Sequence, residues 1–349
     1  LSNLTNKQWM EENLFDVSGA WIYDSINFPI PSYTFQKVIE TQEQFISLNN
    51  GVLVGDYILN CDIDLSENNN FRIAANYGSF DGNGHVIKNY SLTENDYKNN
   101  YGLFEKNFGT IKNLGVDNLL FDLHFRDLAV NVAGLVVENW GTVNACFVRG
   151  DIEALSIDSD CIVGGIVAIS RSGEVLNSYS DVSVYASATS GAYSDVKANA
   201  YSGGIIAIGE GEVENCYSVK DVVTYAHYAN GTLFSAYGIS GADGIVKNSF
   251  VLSNVAVSEY NSSGKYQAGG ISKEFENSFA YEWQTVTVIE EDLSFGDKSY
   301  DEFCSLAFLE ALDFEQFVSK ENLLQNENAV WVITETDLPK LWFEEEGNL

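Results

Sequence analysis

Carboxylates and amides recur at one place in this chain. Asn118, Asp151, Asp181, Asp221 and Asn254 each stand just before an apolar residue that opens a strand-like run. Acidic side chains stacked at regular intervals could hold a Ca²⁺ ion or share a proton as an acid pair. They could equally be turn residues whose carboxylates accept backbone N–H groups, and that is the simpler role. A polysaccharide-cleaving enzyme would want a base beside them, but Arg149 and Lys220 are isolated in sequence. Other chemistry is excluded quickly. The segment 62-DIDLSENNN-70 opens like an EF-hand loop, but Glu67 stands where Gly is needed and Ile73 where Glu is needed. The histidines His85, His124 and His227 are far apart and no HExxH occurs. Five cysteines (Cys61, Cys146, Cys161, Cys216, Cys304) lack CxxC spacing, which fits small core residues better than zinc or a disulfide framework. No metal is called for, with Ca²⁺ at the acidic column the single cofactor to test.

A second group of residues suits binding. Tyr193, Tyr201, Tyr228, Tyr260 and Tyr266 cluster around three inserted stretches near residues 186–202, 226–236 and 258–268. Rigid amphipathic rings fit both sugar faces and protein hot spots. Tyr185 and Tyr225 hold equivalent places in DVSVYA and DVVTYA, so stacking on one another is the alternative for that pair.

The elements that would position these residues follow from an internal repeat. Gly102, Gly134, Gly165, Gly204, Gly238 and Gly270 each precede an aliphatic residue, at spacings of 32, 31, 39, 34 and 32. Each unit has a short aliphatic run, a Gly-containing turn and an apolar stretch of period two, rich in Val, Ile and Tyr. That period is the signature of strands. Helical repeats of similar length need stripes of period 3.6, and none is present. One such unit cannot bury its own apolar face, so successive units must stack. The expected architecture is an all-β, right-handed parallel β-helix of about 6–8 coils with helical or strand caps at both ends. Asn113, Asn177, Asn215, Asn248 and Asn277 align at one turn, with Ala145 as the break, and predict a ladder of inward amides passing hydrogen bonds from coil to coil. The chain divides into an extension over 1–36, an N-terminal cap and first coils over 37–100, repeats over 101–290 and a C-terminal cap over 291–349.

Composition agrees and narrows the partners. The 349 residues are 45% hydrophobic and 13% aromatic, with only three prolines. Fifty acidic residues against 18 basic ones give a net charge of −32, which argues against nucleic acid or anionic lipid. There is no apolar run long enough to span a bilayer, so membrane insertion is not expected. The opening LSNLTNKQW has no charged and apolar leader pattern and reads as part of a longer chain, with a monomeric module expected.

The unit G-[LI]-[IV]-x₄-G-x-[IV]-x-N-[CS]-[YF] resembles the GLUG repeat of large secreted and cell-wall proteins of bacteria. The lead-in FDGNGHVIKNYSL and the closing WVITETDLPKLWF are similar to those flanking such repeats, and the likeness covers residues 37–343. It implies a parallel β-helix, an extracellular location and a surface-module role, and it brings no catalytic residues. Some proteins with such repeats carry an IgA-cleaving metallopeptidase elsewhere in the chain. The sequence-based expectation is a non-enzymatic adhesin or spacer that presents loops to a host or environmental glycan or protein. A carbohydrate-active lyase or glycosidase using Asp151, Asp181 and Asp221 is the alternative.

Overall fold

The computed structural model describes residues 21–22, 30–31, 36–92, 98–190, 197–228, 230–260, 262–281, 284–288, 291–294, 299–304, 308, 310, 317–319, 330–333 and 337–346. The chain is all-β, 60% strand and 5% helix, wound into a parallel β-solenoid of about six turns. The strands Asn100–Tyr101, Val130–Ala133, Cys161–Gly164, Ala200–Gly203, Asn230–Tyr237 and Ser263–Gly269 stack in parallel as one sheet. Each enters a glycine turn, after which Leu103, Leu135, Ile166, Ile205 and Ile239 form an interior column, all fully buried. Burying each such side chain contributes about 1.5–3 kcal/mol, which no single unit could collect alone. The chain then bends and runs through the long strands Thr110–Arg126, Thr142–Ile157 and Tyr179–Thr189 and their successor Val222–His227. Those strands alternate inward and outward along their length, as Val182, Val184, Ala186 and Ala188 show by their burial.

The bend explains the asparagine column and corrects its expected direction. Asn113, Ala145, Asn177, Asn215, Asn248 and Asn277 all have left-handed backbone, with φ of 52°, 51°, 48°, 54°, 47° and 43°. Asn tolerates that region because its short amide hydrogen-bonds locally. Here Asn215 Nδ2 donates to Asn177 Oδ1 at 3.2 Å and Asn277 Nδ2 to Asn248 Oδ1 at 2.9 Å. Asn113 and Asn248 donate to Asp81 and Glu214, and Asn177 reaches Asn144, the neighbour of Ala145. Most of these amides lie at the surface of the bend; Asn277 is exposed. The interior is entered by the next residue in each coil: Leu114, Cys146, Ser178, Cys216, Ser249 and Ser278. These side chains satisfy the backbone that the bend takes out of the sheet. Cys146 N donates to Ser178 Oγ (3.0 Å), Cys216 N to Ser249 Oγ (3.1 Å) and Ser249 N to Ser278 Oγ (3.1 Å). Burial pushes the thiols of Cys146, Cys161 and Cys216 up to about 12, so they stay protonated and inert.

Ala145 bears the cost of left-handed backbone without an amide to offset it. Ala145→Gly should therefore raise stability by about 1 kcal/mol, read as a higher urea midpoint at unchanged slope.

The ends close differently. At the N-terminal end the helix Gln42–Ile46, capped by Thr41 and Gln44 in a reciprocal capping box, seats Phe45 on Phe71 (centroids 4.7 Å apart). At the other end Glu291–Ser294 folds back antiparallel on Thr285–Val288 and ends that run of parallel pairing. The C-terminal segment does not sit end-on as a cap. It lies along the flank, where an outward column of Phe147, Tyr179, Tyr217 and Phe250 stacks at 5.4, 4.7 and 4.8 Å. Phe303, Phe308, Trp331, Ile333, Leu341 and Phe343 cover that column and form a second apolar core outside the solenoid. Of the N-terminal extension, Trp21–Ile22 and Ile30–Pro31 are described as an antiparallel pair, and Gln36 opens the strand Gln36–Ile39.

Candidate functional site

The carboxylate column does not assemble as its sequence alignment suggests. Pairing sets Asp151 opposite Ser183 and Asp181 opposite Arg149, while Asp221 precedes Val222, the partner of Val184. Asp181 is thus displaced by two residues, and Ser183 separates Asp151 from Asp221. Asp221 is consumed by its neighbour: Asn254 donates to Asp221 Oδ1 from both N (3.2 Å) and Nδ2 (3.0 Å). Asn254 Oδ1 in turn accepts from Thr285 N and Oγ1. Lys220 Nζ lies 3.8 Å from Asp151 and donates to Gly150 O. Among the described residues no three His, Cys, Asp or Glu side chains gather as a metal cluster. The geometry is that of a turn network.

A charged cleft of about 620 Å³ lies where the C-terminal helix Trp342–Glu346 meets the turn near Gly84. Asp62 accepts from Lys88 Nζ (2.6 Å) and His85 Nδ1 (3.2 Å) on one wall. Partial burial alone would raise the Asp62 pKa, but hydrogen bonds from Lys88, Val86 and His85 outweigh it and hold the carboxyl below its ordinary value. On the other wall Glu344, 6% exposed, accepts from Arg149, from Tyr179 Oη (2.6 Å) and from Leu341 N (2.7 Å). Each wall thus carries its own acid–base pairing, and the contacts of Glu344 with Arg149 and Tyr179 clasp the flank segment to the solenoid.

The loop tyrosines separate into three environments. Tyr193 lies outside the described residues. Tyr266 is part-buried and stacks on Phe234 at 5.5 Å, a packing role. Tyr201 is half-buried and lines a surface groove with Trp140. Tyr228 and Tyr260 come together at a corner of adjacent coils, 42% and 54% exposed, edge to face at 5.2 Å. His227 completes that corner, 4.7 Å from Tyr228 and 5.5 Å from Tyr260 between ring centroids. Tyr228 has φ 51° at the turn where Asp158 (61°) and Asp127 (56°) stand two and three coils earlier, with Ser190 in the coil between. Asp suits that conformation, whereas a bulky ring there is strained, as residues held for function often are. Tyr185 and Tyr225 do not stack in register: Tyr185 pairs with Val223, and Tyr225 with Ser187.

One part of the structure escaped sequence reasoning. Asn76, Asn107 and Asn139 are fully buried and pass amide hydrogen bonds inside the solenoid at 2.9 and 2.8 Å. The triplets Asn76-Tyr77-Gly78, Asn107-Phe108-Gly109 and Asn139-Trp140-Gly141, one per coil, are the signal that would have found them.

No family model and no curated protein matches this chain. A solved structure of a putative immunoglobulin A1 protease from Bacteroides ovatus is similar to it, with a TM-score of 0.59 and 17% identity over 89% of this chain and 93% of that one. The likeness is one of fold. The expectation of a chain without enzymatic activity is overturned by this comparison, because the similar β-helix structure carries a protease's name.

Proposed function

We propose that this chain is an extracellular recognition module whose rigid solenoid presents the Tyr228–Tyr260–His227 corner to a protein partner. The supporting observation is Tyr228, held exposed with left-handed backbone at a turn position that Asp158 and Asp127 fill two and three coils earlier. Tyrosine concentrates binding energy because its large rigid surface loses little conformational freedom on contact. The GLUG-like repeats support a cell-surface setting, and the name of the similar structure suggests immunoglobulin A1 as the first partner to try.

The test is biolayer interferometry on immobilised immunoglobulin A1, with Tyr228→Asn and Tyr260→Ala variants. Each substitution should weaken binding by about 2 kcal/mol, roughly 30-fold. Tyr228→Asn should at the same time gain about 1 kcal/mol of stability, since Asn accepts the left-handed turn. Binding that ignores both substitutions, or no binding to immunoglobulin A1 or to any protein of an extracellular panel, would sink the reading. Gel analysis of the same incubations reads heavy-chain cleavage directly, and so measures catalysis alongside recognition.

A further inference from the structure

The outward ring stack Tyr77, Phe108 and Trp140 stops in mid-solenoid. Its rings are nearly parallel, with centroids 4.7 and 4.6 Å apart and interplanar angles of 6° and 16°. Those separations match the spacing of stacked strands, so each ring face points along the solenoid axis. In the next coil Arg171 follows Ser170, the partner of Asn139, and its guanidinium turns aside to Glu138 at 3.6 Å. No ring or cation covers the far face of Trp140 among the described residues. Interior volume falls away over the same coils, because the column Asn76, Asn107, Asn139 ends in Ser170 and Gly209. Gly209 has φ 116°, and a Cβ there would lie 1.9 Å from Ser170 O, so bare backbone is enforced.

The result is a groove of about 640 Å³ that begins at Trp140 and runs across later coils past Arg171, Tyr201, Glu210, Asp243 and Lys273. Its charges balance, two acidic against two basic, on a chain whose overall −32 repels polyanions. Asp243 and Lys273 pair at 2.7 Å, and no hydrogen bond to Glu210 or to Tyr201 Oη is found among the described residues. Paired donors and acceptors beside an apolar ring face suit a ligand whose every hydroxyl both donates and accepts.

We propose that this groove binds an uncharged oligosaccharide laid along the solenoid axis, with one pyranose ring on the open face of Trp140. Arg171 and Glu210 would hold hydroxyls of that ring and its neighbour, and Tyr201 would flank the chain. This site is separate from the Tyr228 corner, and the two can fail independently.

Isothermal titration against neutral linear hexasaccharides of gluco-, manno-, xylo- and galacto-configuration tests the idea, with oligogalacturonate as the anionic control. At least one neutral hexasaccharide should bind, and Trp140→Ala should weaken it roughly 10- to 100-fold, whereas Trp140→Phe keeps most of the affinity. Glu210→Gln and Tyr201→Phe, exposed or half-buried changes that leave the fold intact, should each cost about tenfold. Tyr228→Asn should change nothing here. Binding of oligogalacturonate alone, of none of the neutral sugars, or of a sugar indifferent to Trp140→Ala, Glu210→Gln and Tyr201→Phe alike would overturn the proposal. Preference for an aromatic peptide over every hexasaccharide would overturn it as well.

Discussion

Replacing Gly204 by alanine is expected to cost about 3–5 kcal/mol and to lower the urea midpoint accordingly. Gly204 is not needed for its backbone freedom: neither it nor Gly102, Gly134, Gly165, Gly238 or Gly270 has positive φ. Space is the reason. A Cβ on Gly204 would fall 2.0 Å from Gly238 O and 2.3 Å from Ser218 Oγ. The same collision recurs one coil earlier, where a Cβ on Gly165 would lie 2.1 Å from Gly204 O. Relief requires the coils to part, which stretches Gly204 N→Tyr237 O (3.0 Å) and Ile205 N→Ile239 O (2.8 Å) and loosens the aliphatic column behind them. A Gly204→Ala protein with an unchanged midpoint would show that the stack can yield at this turn, contrary to the packing described.

Trp331→Ala should cost a similar amount, about 3–5 kcal/mol, by a different route. Trp331 is fully buried on the strand Trp331–Ile333, its ring 5.8 Å from that of Tyr217. Its removal leaves a cavity in the flank core, where Tyr217 Oη also donates to Pro339 O at 2.6 Å. The solenoid interior is untouched, so far-UV dichroism should persist to higher denaturant than near-UV dichroism and protease resistance of the C-terminal segment. Simultaneous loss of all three signals would mean that flank and solenoid stand or fall together. No loss at all would remove the flank core from the account of stability.

How much of this was legible in the sequence depended on parity. The repeat, the interior column and the bend were readable because Gly204, Ile205 and Asn215 recur with their neighbours in fixed order. The register of the long strands was not. Aligning DVSVYA with DVVTYA placed Asp181 over Asp221 and Tyr185 over Tyr225, two residues away from the true pairing of Val184 with Val222. A one-residue slip exchanges inside for outside and betrays itself, but a two-residue slip keeps every apolar side chain inward. The carboxylate column was therefore an illusion that hydrophobic pattern could not expose, and Tyr179 paired with Tyr217 at the bend was the better anchor. The flank core was hidden for another reason. Phe147, Tyr179, Tyr217 and Phe250 face outward, and nothing in a period-two pattern says that a distant segment returns to cover them.

That returning segment also changes how the protein should respond to load. A bare stack of repeats is a sum of neighbour contacts and can open from either end, one coil at a time. Here Phe343 reaches Gly84 in an early turn while Phe303 and Phe308 rest on Phe250 and Phe279 several coils later. A pull on the chain ends must break this lateral brace before any coil can peel, so extension should begin with one large force event followed by smaller, regular ones.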